Sequence, residues 1–154
     1  EDLMVHDIEL LVGFCHSDTS SIDASAAPVL TKNPDIANAR ICFKSGCVAN
    51  ITASRLSLSP KRKMRIFQKD GYIAIDFEKR ELEIVRPVSK NPIGKIVDME
   101  GFKLEILRPQ IPAADPLESE LSDFFAAIME ERGPNAKSAV AALQIVMKIS
   151  EALE

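Results

Sequence analysis

The first fourteen residues carry an apolar pattern with helical spacing. The apolar positions of the pattern include Leu3, Val5, Ile8, Leu10, Leu11, Val12 and Phe14. Leu3, Leu10 and Phe14 mark one face and the others extend it, so we expect a helix held on a core by most of its circumference. Asp2 and His6 stand four residues apart, a spacing that brings a carboxylate and an imidazole to one face of that helix.

Short apolar runs separated by turn residues fill the middle of the chain and predict antiparallel strands. Residues 35–44 and 47–56 flank Ser45-Gly46, which is a strong signal for a β-hairpin. Further runs follow at 64–68, 72–77, 81–86, 95–99 and 102–107. Residues 16–30 are rich in Ser, Asp and Ala, and we expect a loop there with at most one short strand, at 22–26.

Two helices are predicted after the strands. Asp115 and Pro116 are typical of a helix start, because Asp caps free amides and Pro suits the first helical position. Gly133-Pro134 should end this helix, and an apolar pattern over 139–153 outlines the last one. The order of helix, six to eight strands and two helices predicts an α+β fold, a mostly antiparallel open β-sheet with helices packed on one face.

The other face of the predicted sheet has no helix to cover it. An exposed apolar sheet face is prone to aggregation, so we expect it to bury against a second copy of the chain. The predicted assembly is therefore a homo-oligomer formed through the open sheet face.

Size and charge narrow the classes of partner. The chain has 154 residues, 46% of them apolar, which suits a single domain. A net charge of -4 gives no reason to expect nucleic acid or an anionic membrane as partner. No apolar run reaches the roughly 18 residues that span a bilayer, and no signal-peptide pattern opens the chain.

Cysteines and histidines offer few sites for metals or disulfides. Cys15, Cys42 and Cys47 form no C-x-x-C pair and are odd in number, which favours a reducing compartment, the cytoplasm. We interpret them as small apolar residues. The alternative is a disulfide or zinc role for Cys42 and Cys47, which flank a turn. Neither His6 nor His16 has a ligand at metal-binding spacing, so no metal is expected.

Basic side chains are further candidates for ligand binding. Lys61, Arg62 and Lys63, followed by Arg65, could bind a phosphate or an anionic sugar nucleotide, although a basic run beside a proline turn is more often a solvated loop. Arg55 lies inside a predicted strand, where an arginine is usually half-buried beside a carboxylate, so a structural role is favoured over substrate contact. The chain has no glycine-rich phosphate cradle and no nucleophile elbow.

The opening motif, Asp-x-x-x-His-x-Ile-Glu-Leu, resembles the catalytic helix of the glucose-fructose oxidoreductase and inositol dehydrogenase (Gfo/Idh/MocA) family. The matching residues are Asp2, His6, Ile8, Glu9 and Leu10. Residues 43–55, 65–73 and 115–134 resemble the family's central hairpin, its next strand pair and its C-terminal helices, so the resemblance covers nearly the whole chain. The family usually has Asp where this chain has Glu9, a position expected to support the helix rather than the chemistry.

The resemblance implies a glyceraldehyde-3-phosphate dehydrogenase-like C-terminal domain that binds the substrate of an NAD(P)-dependent oxidoreductase. His6 would be the acid/base for the hydroxyl of a sugar, sugar nucleotide or polyol. Asp2 would position the substrate or tune a relay with a lysine of the nucleotide-binding domain. Arg55, Lys61 and Arg62 stay candidate substrate-binding residues on the ground of their charge, not of the resemblance. NAD or NADP would be bound by an N-terminal Rossmann domain that this sequence does not contain.

The extent of the sequence supports the same interpretation. It begins at Glu1, without Met and inside a helical pattern, so we expect a piece of a longer protein that does not turn over alone. The rival interpretation is a non-catalytic binding or dimerisation module that kept the fold and lost the chemistry.

Overall fold

A computed structural model of the chain describes residues 2–113, 115–130 and 136–153, and for Asp2, Leu3 and Pro116 it describes the backbone alone. The elements in chain order are α1 (Asp2–Cys15), β1 (Thr19–Ala27), β2 (Ile36–Phe43), β3 (Val48–Ser54), β4 (Lys63–Gln68), β5 (Gly71–Asp76), β6 (Glu81–Pro87), β7 (Lys95–Met99), β8 (Phe102–Leu107), α2 (Pro116–Met129) and α3 (Lys137–Glu151). The predicted helix end at Gly133-Pro134 lies outside the described residues.

The described strands form two antiparallel sheets. One has three strands in the order β1-β2-β3, and the other has five in the order β4-β5-β6-β8-β7. The chain divides into two compact units: unit 1, residues 1–56 and 125–154, contains the smaller sheet, and unit 2, residues 57–124, contains the larger. The predicted α+β class is confirmed, with the strands shared between two sheets instead of one meander.

The core of unit 1 lies between α1, α3 and one face of the three-stranded sheet. Alternate residues of β2 and β3 point into it, because side chains alternate across a strand. The buried core residues are Met4, Ile8, Ala39, Ile41, Phe43, Ala49, Ile51, Ala142, Ile145 and Ile149. Burying one large aliphatic side chain contributes about 1.5–3 kcal/mol relative to exposing it, so this cluster holds both helices on the sheet.

The opposite face of the small sheet is polar. Thr52 and Asn38 are cross-strand partners, and the Thr52 hydroxyl donates to Asn38 Oδ1 at 2.8 Å. On the same two strands, Arg40 Nη1 donates to Asn50 Oδ1 at 3.1 Å. Cross-strand polar pairs of this kind stabilise a sheet while keeping its surface hydrated, so this face needs no further cover.

The side of α1 that meets the core differs from the predicted one. Its core-facing residues are Met4, Ile8, Leu11, Val12 and Cys15. Phe14, in contrast, is 54% exposed, Leu10 is only half-buried, and the Leu3 side chain lies outside the described part. The prediction that Phe14 holds the helix on the core is therefore wrong. Because α1 is apolar on most sides, its pattern does not decide which stripe turns inward.

β1 is a nine-residue strand in a region expected to be mostly loop. It pairs with β2 from Thr19 to Ala27, with a register shift between Thr19 and Ser21. Its residues are mainly Ser and Ala, which have low strand propensity, so the local sequence indicates the strand only weakly. Pairing with β2 supplies the ladder hydrogen bonds, and Ile22 and Ala24 pack on the unit 1 core.

The five-stranded sheet of unit 2 has an apolar face with little cover. Ile66, Ile73, Ile84 and Leu107 are cross-strand neighbours on four successive strands, and each is only half-buried. Among the described hydrophobic residues of unit 2, only Val85 is buried. This open apolar face, defined by the four aliphatic residues of the row, matches the kind of face that the strand pattern predicts.

Ile8→Ala removes a fully buried side chain from the unit 1 core. We expect the free energy of unfolding to fall by about 2–5 kcal/mol, as for other large buried aliphatic side chains. Denaturant unfolding followed by circular dichroism measures the change. Phe14→Ala, which truncates an exposed side chain of the same helix, is the matched control and should cost about 1 kcal/mol or less. Equal losses in the two variants would contradict the observed core face.

Candidate functional site

The His6 imidazole lies on the exposed side of α1. His6 is two residues from both Met4 and Ile8, and at about 100° per residue this turns it to the side of the helix opposite the core. The side chain is exposed, whereas Met4 and Ile8 are buried. Within the described part of the chain, no hydrogen bond or ion pair holds the imidazole. Core packing therefore fixes the helix while the ring stays accessible to a ligand.

Glu9, Leu10 and Gly13 follow His6 at helical spacing on this side of α1. Glu9 is half-buried, and a Cβ added at Gly13 would meet no atom within 4 Å. Asp2 lies in the same helix, and its spacing of four from His6 brings the two Cβ atoms to one side. The side chain of Asp2 lies outside the described residues, so its contact with His6 stays a prediction. His6 is thus exposed on the same side of the helix as a glycine that carries no side chain.

Arg55 directly follows β3 and is exposed. Its backbone N–H donates to the carbonyl oxygen of Asp35 at 2.9 Å, and no ion pair to its guanidinium occurs among the residues that the structure describes. The prediction of a half-buried arginine beside a carboxylate is wrong, because β3 ends at Ser54, one residue earlier. The guanidinium is therefore accessible, like the imidazole of His6 in the same unit.

Asp35 is a buried carboxylate that sequence reasoning missed. Its Oδ2 accepts backbone N–H groups from Thr31 and Leu30 at 2.8 Å and from Val29 at 2.9 Å, and its Oδ1 accepts the Thr31 hydroxyl at 2.9 Å. The bonds from Thr31, Val29 and Leu30 hold the pKa of Asp35 well below its usual range, although burial opposes them. Asp35 thus closes the β1–β2 connection and supplies the carbonyl that Arg55 binds.

The basic run at 61–63 is largely engaged within unit 2. The Arg62 guanidinium lies 4.8 Å from the centroid of the Phe77 ring, a cation–π geometry. Lys63 forms an ion pair with Asp76 at 2.9 Å, and this bond is the main reason that the pKa of Asp76 is lowered. Lys61 is exposed and has no ion pair within the described ranges. Lys61 and Arg62 belong to unit 2, whereas His6 and Arg55 belong to unit 1.

An open groove of about 640 Å³ lies on the five-stranded sheet, and its lining includes Arg65, Glu83 and Arg108 but neither Lys61 nor Arg62. Arg108 donates to Glu83 Oε2 through two nitrogens, at 2.7 and 2.9 Å. The two charged side chains of this ion pair neutralise each other. The groove therefore offers less for proton transfer than the exposed imidazole of unit 1.

Glu105 is a fully buried carboxylate of unit 2 with a structural role. Its Oε1 accepts the N–H groups of Gly94 at 2.8 Å and Ile93 at 2.6 Å, and its Oε2 accepts Arg86 Nε at 3.1 Å. These bonds, the two backbone ones first, lower the pKa of Glu105. Arg86 and Glu105 are cross-strand partners. Their ion pair can be predicted only when the register of β6 and β8 is known.

The chemistry that unit 1 offers is proton transfer by an accessible imidazole. Among residues 2–113, 115–130 and 136–153, no three His, Cys, Asp or Glu side chains gather as ligands of a metal ion. None of the described helices combines the length and the hydropathy that crossing a bilayer requires.

Known proteins similar to this chain include sugar and sugar-nucleotide dehydrogenases. No family model matches the chain. It is 31% identical over 131 residues to UDP-N-acetylglucosamine 3-dehydrogenase of Acidithiobacillus ferrooxidans, an alignment that covers 85% of this chain and 40% of that enzyme. A solved structure of UDP-N-acetylglucosamine 3-dehydrogenase from the same organism matches with a TM-score of 0.86 at 27% identity, covering 99% of this chain and 47% of the other.

Levoglucosan dehydrogenase, solved in complex with NADH and levoglucosan, matches with a TM-score of 0.74 at 20% identity, covering 98% of this chain and 47% of the other. At that identity the likeness concerns the fold alone. The chain spans less than half of the length of these relatives, and it corresponds to their C-terminal part.

Asp35→Asn should weaken the pH dependence of stability in unit 1. The pKa of Asp35 is lowered in the folded chain, so its ionised form stabilises the fold above the ordinary aspartate pKa of about 3.9, and this contribution is lost as the pH falls below that value. We expect the variant to be less stable at pH 7 and to lose less stability than the wild type between about pH 5 and pH 2.

Denaturant midpoints measured over this pH range test the expectation. Asp23→Asn, a change of an exposed aspartate on β1, is the matched control and should follow the wild-type curve. Parallel curves for Asp35→Asn and the wild type would show that Asp35 does not carry the effect.

Proposed function

We propose that this chain, which belongs to the Gfo/Idh/MocA family, is the substrate-binding C-terminal domain of an NAD(P)-dependent dehydrogenase that oxidises a hydroxyl of a sugar. The observation that carries the proposal is the accessible His6 on α1, in a chain that is 31% identical to UDP-N-acetylglucosamine 3-dehydrogenase over 85% of its length. Because the chain spans 40% of that enzyme, the proposal concerns the longer protein.

His6 is proposed as the acid/base. A hydride can leave the carbon of an alcohol only as a base removes the hydroxyl proton, and imidazole is the side chain that most often serves as a general base. The base must come within about 2.6–3.2 Å of the hydroxyl oxygen. An exposed ring on a helix that Met4 and Ile8 hold on a core meets this need, because its position is fixed while its nitrogens remain open.

Asp2, Arg55, Lys61 and Arg62 are proposed in supporting roles. Asp2 would orient the His6 ring or the substrate hydroxyl from one turn earlier on α1. Arg55 is the better candidate for an anionic part of the substrate, since its guanidinium is exposed and has no ion pair among the described residues. Arg62 already stacks on Phe77, so its role would be secondary to that of Lys61.

The nicotinamide cofactor would be bound by another part of the longer protein. The glycines with positive φ, Gly46, Gly71 and Gly101, lie in hairpin turns, and none belongs to a strand–turn–helix arrangement that cradles a pyrophosphate. The described residues of this chain therefore do not fit a dinucleotide site. When bound, the cofactor would accept the hydride, and the role of this chain is to bind the sugar and to take up the proton.

A UDP-linked amino sugar is the proposed substrate class. The support is the sequence identity to an enzyme named for UDP-N-acetylglucosamine, together with the exposed guanidinium of Arg55 in unit 1, a group suited to a diphosphate. Nicotinamide absorbance, recorded with the full-length protein on UDP-sugars, free sugars and polyols, tests the class. Turnover only of uncharged polyols would reject the sugar-nucleotide proposal.

His6→Ala in the full-length protein should lower kcat by at least about 100-fold, the low end for general acid–base catalysis. His16→Asn is the matched control, because it removes the other histidine at a site with φ of 43° that Asn tolerates. We expect the control to keep the wild-type kcat and the wild-type pH profile. Unchanged turnover in His6→Ala would remove His6 from the mechanism, and absence of turnover in the wild type on every substrate would favour the non-catalytic module.

The open apolar face of unit 2 is proposed to bury against a second copy of the chain. Ile66, Ile73, Ile84 and Leu107 form a continuous aliphatic row that this chain leaves half-exposed. A contiguous apolar patch on a sheet is a typical protein–protein interface. A self-complementary sheet face also suits the two-fold symmetry of most homodimers.

Light scattering after size-exclusion chromatography tests this interface. We expect the wild type to elute as a dimer or larger assembly at micromolar concentration, and Ile73→Lys to shift the mass toward the monomer because it places a charge in the row. Thr52→Lys, on the polar face of the small sheet, is the matched control and should keep the assembly. A monomeric wild type would contradict the proposal.

A further inference from the structure

Two cysteines of unit 1 lie side by side, although they are 32 residues apart in the chain. The Cys15 thiol, at the last residue of α1, donates to Cys47 Sγ at 3.0 Å. Cys42, the residue that sequence reasoning weighed as a partner of Cys47, instead stands opposite Val48 in the β2–β3 ladder. Cys15 is half-buried against the unit 1 core, whereas Cys47 is exposed in the hairpin turn.

Contacts between the segment after α1 and the β2–β3 turn keep the two thiols together. The backbone of Lys44 donates to the Asp18 carbonyl at 2.8 Å, and its ammonium forms an ion pair with the Asp18 carboxylate at 3.0 Å. The Ser45 N–H donates to Ser17 Oγ at 3.0 Å. The segment after α1 is thereby fastened to the turn that contains Cys47, so the approach of the two sulfur atoms follows from the backbone arrangement.

The end of α1 contributes to the same geometry. His16 has a left-handed backbone with φ of 43°, and its N–H donates to the Val12 carbonyl at 3.2 Å. A left-handed residue in this position ends a helix and turns the chain sharply. Cys15 is therefore the last helical side chain before the turn, and it is held over the β2–β3 hairpin.

We propose that Cys15 and Cys47 form an oxidation site that converts to a disulfide when the protein meets a peroxide. The Cys47 sulfur attacks one peroxide oxygen, the O–O bond breaks, and a sulfenic acid and one water are formed. The Cys15 sulfur then attacks Cys47 Sγ, the S–S bond forms, and the hydroxyl group leaves as a second water with the Cys15 proton. Two thiols lose two electrons in total, and hydrogen peroxide is reduced to two waters.

The two thiols have different roles in this sequence. Burial, reinforced by the neighbouring Cys47 thiol, raises the pKa of Cys15 to about 12, so Cys15 stays protonated near neutral pH. Cys47 is exposed and is the thiol that an oxidant in solution reaches. Cys47 is therefore oxidised first, and Cys15 resolves it. The sulfur atoms need to approach by only about 1 Å to reach disulfide distance.

The disulfide would join the C-terminal end of α1 to the β2–β3 turn. Cross-linking residues 32 apart removes a large part of the freedom of the unfolded chain. For a chain of this size we expect the Tm of unit 1 to rise by about 10 °C on oxidation. The site is independent of the proposed dehydrogenase activity, because it needs neither substrate nor cofactor.

The test is oxidation of the full-length protein with hydrogen peroxide under native conditions. Free thiols are then blocked, and the protein is digested without reductant for mass spectrometry. We expect one cross-linked peptide pair that contains Cys15 and Cys47, with Cys42 recovered in its blocked form. The Tm measured before and after oxidation should rise, and a thiol reductant should restore the original value.

Cys47→Ser and Cys42→Ser are the matched variants. Cys47→Ser changes an exposed turn residue, so the fold should persist, and both the cross-link and the rise in Tm should disappear. Cys42→Ser should retain both. A cross-link between Cys42 and Cys47, a disulfide between two chains, or Cys47 recovered only as sulfinic acid would each overturn the proposal.

Discussion

Burial of Ile8 in the core that α1 shares with α3 and the three-stranded sheet is the interaction on which unit 1 depends. A helix of fourteen residues such as α1 is marginal in water on its own, so its stability comes from the face that packs. Met4 and Ile8 provide that face near the start of the helix, where His6 lies between them in sequence and opposite them in space. The same packing that forms the helix therefore also orients the imidazole.

Polar contacts add to the stability that the apolar core provides. They lie at the turns that connect the elements of unit 1. Asp35 closes the connection from β1 to β2 with its carboxylate and holds the end of β3 with its carbonyl. The Ser17 and Asp18 contacts fasten the end of α1 to the β2–β3 turn. The bonds to the Asp35 carboxylate are local, whereas its carbonyl contact and the Ser17 and Asp18 contacts join segments distant in sequence. Both ends of the small sheet are therefore fixed.

The strands and helices that are bounded by clear turn or capping residues could be predicted from the sequence. β2 and β3 lie where Ser45-Gly46 placed a hairpin, and α2 begins after Asp115, whose Oδ1 accepts the Leu117 N–H at 2.9 Å. Only the middle of β1, residues 22–26, could be predicted, because its pairing with β2 outweighs the weak strand propensity of the other residues. Turn residues can be recognised in a short stretch of sequence, whereas strand pairing depends on the tertiary structure.

The candidate site was predictable in part for the same reason. The exposed side of α1 at His6 is the side that the motif indicates, but the inward stripe was not decidable in a helix that is apolar on most sides. The partners of the basic residues depend on register: Lys63 meets Asp76 because β4 and β5 pair them. Cys15 and Cys47 meet only through the reversal at His16, which no spacing rule reveals.

The two sheets differ in the polarity of their free faces, and this difference indicates different roles for the two units. The small sheet carries the polar pair of Asn38 and Thr52 on its free face, so unit 1 has a core of its own and an outer face suited to water. The large sheet carries an aliphatic row that stays half-exposed, while its fully buried side chain is the carboxylate of Glu105. A sheet with so little apolar burial gains most by covering that row. The proposed assembly would therefore stabilise unit 2 most, whereas the position of His6 depends on the core of unit 1.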